Sequence, residues 1–257
     1  MKIEDFIPTE SLQPFIKTFR IIESQKELAN RVLPNTSLAI AFRFSGKNSY
    51  SIDTGENQLP QTTFSGLRKS VRIINYESNT STLIVLFKEC GAAAFFKEPL
   101  HELFEASIPL DCIISPSEII IIEELLSSAQ TNEQRVAIVE QFLIKRMNGH
   151  KLDQLIAKAI EEIHFAKGFL KIKELADHLY ISHDAFEKRF RKIVGTTPKQ
   201  FSSIVRLSSI ISQGQNNPNL LDIIFEAGYY DQSHFNKDFK QFTGQTPTDF
   251  LKSDTFW

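Results

Sequence analysis

Two sets of polar and charged side chains recur near the C-terminal end of the 257-residue chain. The first is His183, Asp184, Glu187, Lys188 and Arg191; the second is Gln232, Ser233, Asn236, Lys237 and Lys240. Such a mixture of cations, amides, a hydroxyl and carboxylates suits the chemistry of base edges and phosphates. Arginine or lysine pairs with guanine, asparagine or glutamine with adenine, and a carboxylate accepts from the cytosine amino group. No comparable catalytic set occurs. The six histidines are His101, His150, His164, His178, His183 and His234, and none falls among residues 1–100, where a metal-binding barrel would carry its ligands. Cys90 and Cys112 give neither a disulfide framework nor paired metal-ligand spacing, and both are expected to be buried, inert thiols. The sequence therefore predicts no catalytic residues, no metal, no cofactor and no enzyme.

The elements that must position these sets form a repeat. Between Phe186 and Phe201, seven residues recur 49 positions later: Phe186/Phe235, Lys188/Lys237, Phe190/Phe239, Gly195/Gly244, Thr197/Thr246, Pro198/Pro247 and Phe201/Phe250. Phe186, Phe190 and Ile193 make one helical stripe, and Phe235, Phe239 and Phe242 make another. Burying each stripe turns the polar set outward. Ser182 and Asp231 precede the helices as caps, and Gly195 and Gly244 suit the left-handed conformation that ends them. Thr197-Pro198 and Thr246-Pro247 then start the next helix. Shorter preceding helices also correspond, through Ile172, Leu175, Ala176 and Leu179 against Leu220, Ile223, Ile224 and Ala227, with one extra turn residue assigned to Gly228. A short helix, a tight turn and a capped second helix constitute a helix-turn-helix. Two units are expected, at about 171–194 and 220–243, separated by a helix from Pro198 to about Gln213. A generic helical bundle with solvated outer faces is the competing reading of this half.

Residues 1–112 read differently. "SLAIAFRFSG", "NSYSIDTG", "TTFSGLR", "KSVRIINYE" and "STLIVLFKE" are short β-type runs separated by turn formers, which predicts a barrel or sandwich. "CGAAAFFKEPLHELF" predicts a short helix and a further helical turn from Pro99. Phe42, Phe44, Tyr50 and Phe64 are candidates for a ligand pocket or, more simply, for the core. Residues 113–150 predict two connecting helices, capped at Ser115 and at Thr131 or Asn132. Their apolar faces either pack on their own domain or pair two copies. Residues 151–257 are all helical, beginning with a stripe of Leu152, Leu155, Ile156, Ala159, Ile160 and Ile163. The fold class is thus α+β: an N-terminal β-barrel, a helical connector and an all-α double helix-turn-helix. Formal net charge is −2, so a DNA surface must concentrate its cations locally. No signal-peptide pattern and no membrane-length apolar run occur, which predicts a cytoplasmic protein with no membrane partner.

The stretches "IKELADHLYISHDAFEKRFRKIVGTTPKQF", Arg206-Leu207 and "LDIIFEAGYYDQSHFNKDFKQFTGQTPTDF" resemble the AraC/XylS family of bacterial transcription regulators over about 105 residues. The resemblance implies a seven-helix module that binds double-stranded promoter DNA and usually activates transcription by touching RNA polymerase. It carries base-reading positions onto Asp184, Glu187 and Lys188, and onto Gln232, Ser233, Asn236 and Lys237. Ile224 stands where the family usually has alanine, and Asp184 and Glu187 are acidic where cations or amides are common. "RVLPNTSLAIAFRF", "FSGLR" and "LIVLFKECGAAAFFKEPLHELFEASIPLD" more weakly resemble the cupin-like sensor domains attached to such regulators. A small-molecule effector and a homodimer are the partners this implies for the N-terminal half. The alternative function is a β-barrel ligand-binding or scaffold protein whose helical half mediates protein interactions.

Overall fold

The computed structural model describes residues 1–52, 55–147, 152–214 and 232–251. Ten strands come first: β1 (Lys2–Phe6), β2 (Ile16–Ser24), β3 (Leu28–Val32), β4 (Ala39–Ser45), β5 (Asn48–Ile52), β6 (Gly55–Gln58), β7 (Thr62–Ser65), β8 (Arg72–Tyr76), β9 (Thr80–Phe87) and β10 (Ser107–Pro109). They form two antiparallel sheets, ordered β1-β2-β9-β4-β7-β10 and β3-β8-β5-β6. Strands β4, β5, β7 and β8 lie within the β-type runs of the sequence, and β9 starts one residue before its run. β1, β2 and β3 were not foreseen, because their sequences mix charges into the apolar alternation. β2 nevertheless buries Ile16, Phe19, Ile21 and Ile22.

The segment 90–104 forms the short helix and the further helical turn after Pro99 that its sequence predicts, both of 3₁₀ type, at Ala92–Ala94 and Leu100–Leu103. Pro99 explains the break between them, since its ring disfavours helical geometry in the residue before it.

Helix α1 (Pro116–Ser128) follows Ser115, whose hydroxyl meets Ser117 Oγ at 2.8 Å and makes no cap bond. Helix α2 (Asn132–Arg146) has the reciprocal cap that Thr131 and Gln134 provide. Phe42 of β4 meets Phe142 of α2 edge to face at 6.1 Å, so the connector covers one face of the large sheet. Phe42 and Phe64 belong to the core; Phe44 lies under the Arg135 guanidinium and Tyr50 under that of Arg72.

The C-terminal half contains α3 (Gln154–Phe165), α4 (Ile172–His178), α5 (His183–Val194), α6 (Pro198–Gly214), α7 (Gln232–Thr243) and α8 (Pro247–Leu251). In α3 the predicted stripe buries Ile156, Ala159, Ile160 and Ile163, whereas Leu152 and Leu155 are only partly covered. Asp153 caps this helix by accepting from the Ile156 N–H at 3.1 Å. The first helix of the second predicted unit (Leu220, Ile223, Ile224, Ala227), with Gly228 and Asp231, lies outside the described residues. Among the described residues, no helix is long and apolar enough to cross a membrane.

Candidate nucleic-acid interface

The candidate interface is built on two matched aromatic clusters. Phe190 packs against Phe186 at 5.7 Å and against Phe201 of α6 at 5.5 Å. Phe239 packs against Phe235 at 5.3 Å and against Phe250 of α8 at 5.3 Å. These rings are buried in both units, so each three-ring cluster locks one helix onto the start of the next. Ile193 was expected to complete the first stripe, but Val194 is the fully buried residue there. Ile193 instead shares a cleft with Cys90, Phe96 and Leu152, because the turn of α5 at that point faces the β-domain. The equivalent of Val194 is Thr243, which stays buried by donating its hydroxyl to the Phe239 carbonyl at 2.8 Å.

Helix ends repeat as well. Ser182 Oγ accepts from the Ala185 N–H at 3.4 Å. Gly195 has φ 92° and Gly244 φ 77°, the left-handed region that a side chain disfavours. Thr197 Oγ1 accepts from Gln200 N–H, and Gln200 Oε1 accepts from Thr197 N–H, closing a capping box for α6. Thr246 Oγ1 accepts from the Asp249 N–H at 3.3 Å to start α8.

With these seams buried, the predicted polar residues fall on the outer faces of α5 and α7. His183, Asp184, Lys188 and Arg191 are exposed, and Glu187 is partly exposed. Ser233, Asn236, Lys237 and Lys240 are exposed on α7, while the Gln232 side chain lies outside the described residues. Among the described residues, Lys188, Arg191, Lys237 and Lys240 make no ion pair, so four cations stand uncommitted on the two outer faces. The acids partly balance this on α5, where Asp184 is fully exposed. On α7, Asp238 is approached by His234 Nδ1 at 3.8 Å.

Two cations that sequence reasoning left unassigned have structural roles. Arg189 Nε donates to Asp153 Oδ2 at 2.7 Å, tying α5 to the start of α3. Its place three residues after Phe186, on the flank of the stripe, was the available signal. Arg206 donates to the Gly168 carbonyl at 3.1 Å through Nη2 and holds the turn after α3 against α6. Of the two thiols, Cys90 is buried, and burial above all, with Glu89 and Asp153 adding, pushes it up to about 12. Cys112 is exposed, contrary to expectation, because its 3₁₀ turn (Leu110–Cys112) buries Leu110 and turns the cysteine outward. Among the described residues, no group of three or more His, Cys, Asp or Glu is arranged to hold a metal ion.

Residues 175–253 match a family model described as a helix-turn-helix domain, and residues 4–109 match one described as a domain of unknown function, DUF6597. The helix-turn-helix match takes in both aromatic clusters and both outer faces. An uncharacterized HTH-type transcriptional regulator of Haemophilus influenzae is 26% identical over 140 residues, which is 53% of this chain and 44% of that protein. The chain therefore spans less than half the length of that curated relative. A ToxT structure from Vibrio cholerae aligns over 91% of this chain and 97% of its own, with TM-score 0.48 and 12% identity. The AraC-like transcriptional activator CuxR aligns over 82% and 86%, with TM-score 0.26 and 11% identity.

Proposed function

We propose that this chain is an AraC-type, sequence-specific regulator of transcription that places α5 and α7 in successive major grooves of promoter DNA. One observation carries the reading: two helices, locked by the same three-ring cluster and ended by the same left-handed glycine, each present a polar outer face. On a duplex, successive major grooves on one side lie about 34–36 Å apart. Helix α6, of 17 residues, spans about 25 Å and sets the separation of the two units. In this reading His183, Asp184, Glu187, Lys188 and Arg191, with Gln232, Ser233, Asn236, Lys237 and Lys240, form the contact surface. Activation through RNA polymerase and control by an effector bound to the β-domain belong to the same proposal.

Self-association through the connector is also part of it. Ile121 and Leu125 of α1 are exposed and, with Ile122, Ile138 and Phe142, line an apolar groove of about 440 Å³ between α1 and α2. An apolar surface of that kind suits a second copy.

The test is selection of bound sequences from random DNA by the purified chain, followed by affinity measurements against salt. Arg191→Ala and Lys237→Ala each weaken binding and reduce the magnitude of the log–log salt slope by about 1 where the cation meets a phosphate. Where it meets a base, preference relaxes at one position. Unchanged slope and unchanged preference in both variants would count against the assigned faces.

A further inference from the structure

The turn that joins α4 to α5 closes on a tyrosine. The Ile181 N–H donates to the Ala176 carbonyl at 3.1 Å and the Tyr180 N–H to the Asp177 carbonyl at 3.1 Å, the paired bonds of a Schellman end. Tyr180 holds the left-handed position of that motif, with φ 55°. Helices α5 and α7 close on Gly195 and Gly244 in that conformation. A side chain there crowds the backbone, and a bulky one is especially disfavoured. The other described non-glycine residues with positive φ, Asn79, Glu105 and Lys167, carry polar side chains.

Nothing within the fold accounts for an aromatic residue at this point. Leu179 and Ile181, on either side, pack against the core, while Tyr180 is 98% exposed. Among the described residues its hydroxyl makes no hydrogen bond and its ring meets no other ring. Backbone strain that gains no contact inside the chain points to a function outside it. The tyrosine also recurs in sequence. In the frame that carries Phe186 onto Phe235, 49 positions on, Tyr180 falls on Tyr229, while Ile181 and Ser182 fall on Tyr230 and Asp231. Tyr229 itself lies outside the described residues.

Place supplies the function. Tyr180 stands just ahead of Ser182, the cap of α5, and of the exposed His183 and Asp184. A recognition helix enters the major groove with its N-terminal residues at the base edges. The turn that leads into it therefore passes the sugar-phosphate backbone at the lip of the groove. A tyrosine offers that backbone an apolar ring face for the sugar and a hydroxyl donor for a phosphate oxygen.

We propose that Tyr180 is a DNA-contact residue of the first unit, its ring against a deoxyribose and its hydroxyl donating to a backbone phosphate beside the groove that α5 enters. The inference rests on the reading of α5 as a groove helix. The contact is neutral, so it adds affinity for every sequence alike and releases no counterion. Its test compares Tyr180→Gly and Tyr180→Phe with the parent, as full chains, on the selected DNA and on unrelated DNA. Tyr180→Gly leaves the urea midpoint unchanged or higher, because glycine suits the left-handed turn, yet weakens binding about tenfold. Tyr180→Phe keeps the midpoint and loses about threefold, the share of the hydroxyl. In both variants the salt slope stays that of the parent, and the loss is the same on either DNA. Unchanged affinity in Tyr180→Gly, a lowered midpoint, a loss confined to one base position or an altered salt slope overturns the contact. Arg191→Ala on the same DNA separates the two readings. If it weakens binding and Tyr180→Gly does not, only the tyrosine contact fails. If the parent shows no sequence preference and none of the variants changes binding, the groove reading fails with it.

Discussion

Single side chains in this protein take their chemistry from their place. Cys90 lies beneath α5, where burial raises the thiol to about 12, while Cys112 stands on an exposed turn. Thiolate is the reactive form. A disulfide exchange reagent at pH 8 should therefore label one of the two cysteines of the native protein, at Cys112, and both after denaturation; Cys112→Ser should abolish native labelling. Gly195 shows the same dependence on place. At φ 92° a side chain is strained, and an added Cβ would lie 3.2 Å from the Leu100 carbonyl oxygen. Gly195→Ala should cost about 1–2 kcal/mol in urea unfolding. The need for glycine at this position was legible from the sequence, because Gly195 and Gly244 recur at the same point of the repeat. The approach of Leu100 was not, since nothing local links positions 100 and 195.

At the scale of elements, the repeat is the main source of order. Each central ring, Phe190 or Phe239, touches two other rings from a neighbouring turn and a neighbouring helix. Phe190→Ala and Phe239→Ala should each destabilise by about 3–5 kcal/mol, measured by chemical denaturation. Thr197→Ala, which opens the capping box of α6, should cost about 0.5–2 kcal/mol in the same assay. These helices were readable because their period, caps and closing glycines are local signals. The strands β1 to β3 were not. Their conformations depend on partners distant in sequence, such as the pairing of Phe19 with Val85. The replacement of Ile193 by Val194 in the buried seam has the same origin, since the β-domain competes for one flank of α5.

For the whole molecule, the question is how the two halves hold each other. His164 of α3 meets Glu89, just after β9, at 3.2 Å, and Thr36 Oγ1 donates to the same carboxylate at 2.9 Å. Burial alone would raise the Glu89 carboxyl, but the hydrogen bonds from His164, the backbone and Thr36, with the His164 charge, outweigh it and leave it below its ordinary 4.5. A depressed carboxyl contributes stability that is fully present above the unfolded-state value and is lost as pH falls through the folded value. Glu89→Gln should thus be less stable than the parent at pH 7, and the gap should close below the ordinary carboxylate range, as read by denaturant midpoints against pH. The connector offers a second test at this scale. Ile121→Asp with Leu125→Asp should lower the sedimentation-derived mass of any dimer to that of the single chain without altering the far-UV spectrum of the fold.

The sequence by itself determined helices α5 and α7, their aromatic seams and their outward polar residues, because helix period, closing glycines and ring spacing act within a few residues of one another. Only the tertiary structure decided which cations remain uncommitted, which thiol is covered and that Arg72 is buried. Those outcomes depend on burial and charge compensation between segments that the chain brings together from far apart, and no local pattern encodes the distance between them.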